Sequence, residues 1–149
     1  MKRFERWFPA AALAGLGVAA LVYKGQGGEW LPGIIYAALL LAGAWLVSPF
    51  FGSRRAALWT ALRDQTDDPG RVVIFWRPGC VYCLRLRATL GRDGRAAHWV
   101  NIWRDREGAA FVRQHNHGNE TVPTVLLGGE VLTNPEPGLV GRALAGRGA

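Results

Sequence analysis

The chain has 149 residues, 50% of them hydrophobic and 19% charged, with a formal net charge of +7. Such a composition excludes an unfolded polar chain, and two cysteines exclude both a disulfide framework and a complete four-cysteine zinc site. The charge is uneven: residues 1–51 hold six charged side chains, and residues 52–149 hold the other 23 of 29.

From Trp7 to Tyr23 run 17 uncharged residues, and from Trp30 to Phe51 run 22 more. A bilayer core about 30 Å thick requires roughly 20 apolar residues in a helix. The second run meets this unaided; the first, rich in Ala and Gly, is at the short end. Pro9 and Pro32 stand near the starts of the runs, where a helix tolerates a missing N–H, and aromatic residues mark the run ends. The favoured reading of residues 1–52 is a membrane hairpin, spans about 7–23 and 30–51, turning through residues 24–29. The other readings of the first run are a cleaved signal peptide, with Lys2, Arg3 and Arg6 ahead of a small-residue stretch, and a buried soluble helix lacking a partner core. Lys2, Arg3 and Arg6 before the first span and Arg54, Arg55 and Arg63 after the second face only Lys24 between them. The excess of positive charge places both termini, and the domain that follows, on the cytoplasmic side of the cell membrane. The arginines form no dense run and accompany no nucleic-acid motif, so no nucleic-acid partner is expected.

Residues 53–70 read as a helical linker, either lying on the membrane surface or continuing the second span, and TDDPG at 66–70 breaks it. Residues 71–149 form the third part. Residues 71–76 are a β-branched and aromatic run fit for a buried strand. A helix follows over residues 80–90, ending at Gly91. A second strand is expected over 97–102 and a second helix over 105–114. A hairpin of Val125–Leu127 and Glu130–Leu132 turns on Gly128-Gly129, and a closing helix runs from Pro137 to Ala145. The expected class is α/β, in the order β-α-β-α-β-β-α.

The chemistry rests on Cys80-Val81-Tyr82-Cys83, directly after a strand and opening a helix. That context gives a C-x-x-C pair its redox meaning. Cys80, at the helix N-terminus, is favoured as a thiolate by free N–H groups and the helix dipole, making it the nucleophile. Cys83, one turn deeper, is the resolving thiol. The alternatives are inert cysteines, or half a zinc site borrowing from His98, His115 and His117, whose spacing fits no zinc-finger pattern. A second signal is Thr121-Val122-Pro123-Thr124: a cis bond before Pro123 would make a sharp turn and leave the Val122 backbone free to pair with a thiol substrate lying across Cys80.

With WRPGCVYCLRLR (76–87), GNETVPTV (118–125) and LTNP (132–135) in view, the chain resembles the glutaredoxins, and more closely the mycoredoxins of actinobacteria. The resemblance covers residues 71–149. It implies a thioredoxin fold and reduction of protein mixed disulfides by a low-molecular-weight thiol, mycothiol for mycoredoxins, regenerated by an NADPH-dependent reductase. By position it makes Cys80 the attacking cysteine, Cys83 the second cysteine and Pro123 the cis-proline, with Thr121 and Val122 in the substrate groove. Arg77 and Tyr82 are further candidates for substrate binding, Arg77 or Arg85 adding positive potential near the thiolate or standing as a solvated surface arginine. No bound cofactor or metal is implied, the lesser alternative being iron–sulfur ligation between two monomers, for which loss of the Pro after Cys80 leaves room; the expected partners are mycothiolated or disulfide-bonded client proteins. Two departures stand out: Val81 replaces the Pro or Gly common after the first cysteine, and Arg77 stands where glutathione-using relatives often carry Lys or Thr nearby. The competing readings are a dithiol, thioredoxin-like reductase using both cysteines, and a membrane-bound redox sensor with little turnover.

Overall fold

The computed structural model describes residues 7–48, 50–51, 56–65 and 71–146. The chain divides into two compact units, Met1–Phe51 and Gly52–Ala149.

The first unit is a pair of helices, α1 (Phe8–Gln26) and α2 (Trp30–Val47), each long and apolar enough to cross a membrane. The residues buried between them are all small: Ala10, Gly17 and Gly25 on α1, Gly33, Ala37 and Ala44 on α2. A Cβ on Gly17 would sit 3.4 Å from the Ala37 carbonyl oxygen, so the glycine lets the backbones approach. The large side chains, among them Leu16, Val22, Leu39 and Leu46, point outward and are exposed. The turn is shorter than the six residues expected, because α1 continues to Gln26; Gly28 takes a positive φ of 77°, and Lys24 Nζ meets Glu29 Oε2 at 2.6 Å. Helix α2 stops four residues before the apolar run does. Ser48 precedes Pro49, which disfavours helical backbone, and is extended with ψ 152°.

The second unit has the α/β, thioredoxin-like arrangement expected of the sequence. Strands β1 (Val72–Trp76), β2 (His98–Asn101), β3 (Thr124–Leu127) and β4 (Glu130–Thr133) form a mixed sheet in the order β2-β1-β3-β4. β1 is parallel to β2, whereas β3 is antiparallel to both of its neighbours. All five residues of β1 are buried, as its unbroken apolar run requires of a central strand. Gly128 and Gly129 turn the β3–β4 hairpin with φ of 54° and 88°, a backbone that glycine adopts without a steric penalty. Helices α4 (Val81–Leu90), α5 (Arg106–His115) and α6 (Pro137–Ala145) complete it.

Of the segment read as a helical linker, 53–70, residues 56–65 are described, and residues 53–55 and the break at 66–70 lie outside the described residues. The described part has no regular structure at residues 56–58, where Leu58 is extended, then is helical over α3 (Trp59–Leu62) and a 3-10 turn (Arg63–Gln65), and it packs within the second unit. Trp59 is 6% exposed and meets Phe75 and Phe111 at ring separations of 5.1 and 4.5 Å. Its N–H donates to Asp105 Oδ2 at 2.6 Å, while Asp105 Oδ1 accepts from Gly108 N–H at 2.8 Å and caps α5. Ala57 N–H donates to the Trp99 carbonyl on β2 at 2.9 Å.

Candidate active site

Strand β1 delivers the chain to the site through Arg77-Pro78-Gly79-Cys80. Proline then glycine in the middle of four residues is the signature of a type II turn, which needs positive φ at its third residue. Gly79 has φ 75°, and Cys80 N–H points at the Arg77 carbonyl at 3.4 Å. The turn leaves Cys80 extended as the N-cap of α4, half-buried, while Cys83 is buried one turn on.

Cys80 Sγ accepts from Cys83 N–H at 3.3 Å, one of the orphan donors at a helix start. As a thiol it donates to the Val122 carbonyl at 3.4 Å. A hydrogen bond from the Cys83 side chain, with help from backbone N–H groups and the Arg77 charge, lowers the Cys80 pKa to about 6 against an opposing burial effect. Cys83 is pushed up, first by that same hydrogen bond and then by burial. The pair is thus a thiolate at the surface and a thiol behind it, able to attack a disulfide and then to resolve the product.

The Val122-Pro123 bond is cis. The β3 ladder begins at Thr124, so the Val122 backbone lies outside the sheet, next to Cys80. Thr121 is exposed; its carbonyl accepts from Thr124 Oγ1 at 2.8 Å. Arg77 lies close enough to act on the Cys80 charge, and Tyr82 is exposed on the first turn of α4. A groove of roughly 90 Å³ is lined by Tyr82, from between the two cysteines in sequence, with Arg85, Pro123, Asn134, Pro135 and Glu136 among others; neither cysteine is among its lining residues. Cys80, Cys83, Val122, Pro123, Arg77 and Tyr82 therefore converge, with Thr121 at the margin. His115, its ring 4.3 Å from that of Phe111 and tilted 39° to it, ends α5, and His117 follows it, both exposed; among the described residues no cluster of three metal-ligating side chains forms.

Three features of the site escaped sequence reasoning. Asn134, with φ 48°, donates its N–H to the Pro123 carbonyl at 2.7 Å, and residues 134–137 line the groove; the LTNP motif contains it, but a bond to a residue eleven positions earlier has no local signal. Buried Asn116 ties the Thr121–Thr124 turn to its surroundings. Its Nδ2 donates to the Val112 carbonyl at 2.8 Å and to Thr124 Oγ1 at 3.1 Å, and its Oδ1 accepts from Thr133 Oγ1 at 2.6 Å. Arg87, one turn past Cys83, lies 4.9 Å from the Trp76 ring centre and 4.4 Å from that of Trp99. Burial there lowers its pKa, offset in part by Cys83.

The family model described as Glutaredoxin matches residues 72–132. Two curated relatives, from two strains of Mycobacterium tuberculosis and each named only provisionally as a glutaredoxin, are 43% identical over 65 residues, 43% of this chain and 77% of each relative.

Proposed function

This chain belongs to the glutaredoxin family, and on that premise we propose that it is a membrane-anchored thiol–disulfide oxidoreductase that removes mycothiol from client proteins through Cys80. The observation that carries the reading is the state of Cys80: an N-cap thiol with its pKa lowered to about 6, beside the Val122 backbone. At neutral pH it is mostly thiolate, the form that attacks disulfides.

In the first step the Cys80 thiolate attacks the mycothiol sulfur of a client mixed disulfide. The client S–S bond breaks, its cysteine leaves as a thiolate and takes a proton, and Cys80 is left joined to mycothiol. A second mycothiol, as thiolate, attacks that adduct; its sulfur pairs with the first mycothiol and Cys80 leaves as thiolate. An NADPH-dependent reductase returns the mycothiol disulfide to two thiols. Val122 and Thr121 offer backbone groups to the substrate, Tyr82 and Pro123 line its groove, and Arg77 favours the negative sulfur. The mycothiol assignment rests on the resemblance to mycoredoxins, and the relatives' source, an actinobacterium, is consistent with it. The anchor rests on the two apolar helices, and the cytoplasmic face on the lysine and arginine distribution.

The test is turnover of a mycothiolated disulfide by mycothiol, its reductase and NADPH. Cys80→Ser should abolish turnover, and Cys83→Ser should keep a substantial fraction. If both variants are inactive and only the wild type takes electrons from thioredoxin reductase, the dithiol alternative replaces this one.

A further inference from the structure

Helix α4 is apolar on two sides, and only one of them packs on the fold. Cys83, Leu86 and Leu90 are buried. Val81 and Leu84 point the other way, 73% and 50% exposed. Positions three, four and seven apart share a helix face, so Val81, Leu84, Arg85 and Ala88 make one solvent-facing stripe, and all four are exposed. A helix packed on one side normally carries polar residues there. The stripe begins one residue after Cys80. Arg85 within it and Arg77 at the preceding turn have no ion-pair partner among the described residues.

We propose that this stripe docks the client protein, and that it selects an extended client segment carrying an apolar side chain and a carboxylate close to the disulfide-bonded cysteine. The proposal rests on the thiol–disulfide reading above and names the clients that reading leaves open. The occupant follows from position: with the mycothiol sulfur at Cys80, the client cysteine is one S–S bond, about 2 Å, further out, and the residues beside it cover the first turns of α4. Along the helix axis Leu84 is about 6 Å and Arg85 about 7.5 Å beyond Cys80, at 1.5 Å per residue. An extended segment advances about 3.3 Å per residue, so its second or third residue from the cysteine lies over Leu84 and Arg85. Val81 and Leu84 recognise apolar contacts there, and the unpaired guanidinium groups recognise the carboxylate.

The experiment uses the full-length protein in detergent micelles, reduced, and follows single-turnover release of peptide thiol, which needs no regenerating system. The substrates are three peptides bearing mycothiol as a mixed disulfide, with Leu and Asp, Leu and Lys, or only Gly and Ser in the three residues after the cysteine. A mycothiol mixed disulfide with 2-mercaptoethanol is the small control. The wild type should release the Leu/Asp peptide about tenfold faster than the Gly/Ser one, from two small surface contributions acting together. Val81→Ser combined with Leu84→Ser should remove most of that preference and leave the small control unchanged. Arg85→Glu should reverse the order of the Asp and Lys peptides. Equal rates for all peptides on the wild type overturn the proposal, as does a preference that survives the double variant. A double variant that dissociates a dimer without altering peptide preference overturns it in favour of self-association. Release of peptide thiol with no multiple turnover under mycothiol would count against the functional reading alone.

Discussion

The two cysteines differ by three positions yet occupy opposite electrostatic situations. Cys80, lowered to about 6, is stabilised as an anion chiefly by the Cys83 side chain, while Cys83 is raised by donating to it. Alkylation of the reduced protein should therefore rise with pH around a midpoint near 6, reporting Cys80 alone. Cys83→Ala removes the largest cause and should move that midpoint upward, whereas Cys83→Ser keeps a donor and should move it less. The same asymmetry acts on stability. A thiol depressed from its unfolded value of about 8.5 stabilises the fold fully above that pH, and the contribution is lost as pH falls through the folded value. Chemical denaturation of the reduced protein should show stability rising between pH 6 and 8.5; Cys80→Ser should flatten the rise. An unchanged slope in that variant would locate the effect elsewhere.

Among the elements, α5 depends on a single carboxylate with two duties. Asp105 caps the helix through Gly108 N–H and holds the Trp59 N–H, both buried bonds. Asp105→Ala should cost about 2–4 kcal/mol, a lost cap together with a buried N–H left unpaired, read as a fall in the denaturant midpoint. Asp105→Asn should recover part of it, since one oxygen remains to accept. This element also marks where the sequence stopped being legible. Strands, helices and the order of the second unit follow from local patterns: the all-apolar run of β1, the Gly-Gly turn, the proline opening α6. Trp59 does not, because its hydrogen-bond partner lies 46 residues further on and its ring partners are Phe75 and Phe111; nothing within a helical turn of it signals burial. Arg87 was hidden for a similar reason. Ile74 pairs with Trp99 across the parallel strands, and Trp76, two residues on, shares a face with Ile74. The two rings thus converge on Arg87 only once β1 and β2 are side by side. Both cysteines and Pro123 were readable because turn and cap chemistry is local; the Asn116 network was not, since it joins α5, β3 and β4.

At the scale of the whole molecule, the described part of the first unit buries only small residues and leaves most of its large apolar side chains, Leu16, Val22, Leu39 and Leu46 among them, exposed, on two helices long and apolar enough to cross a membrane. Membrane fractions of expressing cells should retain the protein through a high-salt or alkaline wash and release it to detergent; release by salt alone would contradict the anchor. The proposed orientation predicts that an impermeant maleimide labels Cys80 in a Cys83→Ser background after permeabilisation and not in intact cells; labelling in intact cells would overturn it. The short connection to Trp99 has a further consequence. β2 is an edge of the sheet, and Ala57 donates to it, engaging a carbonyl that would otherwise face outward. An open edge is a template for intermolecular strand pairing. A soluble fragment begun at β1 would lose that cover together with Trp59, and it should self-associate at concentrations where a fragment begun at residue 52 stays monomeric by sedimentation. Residues ahead of the catalytic fold thereby act as its guard against aggregation.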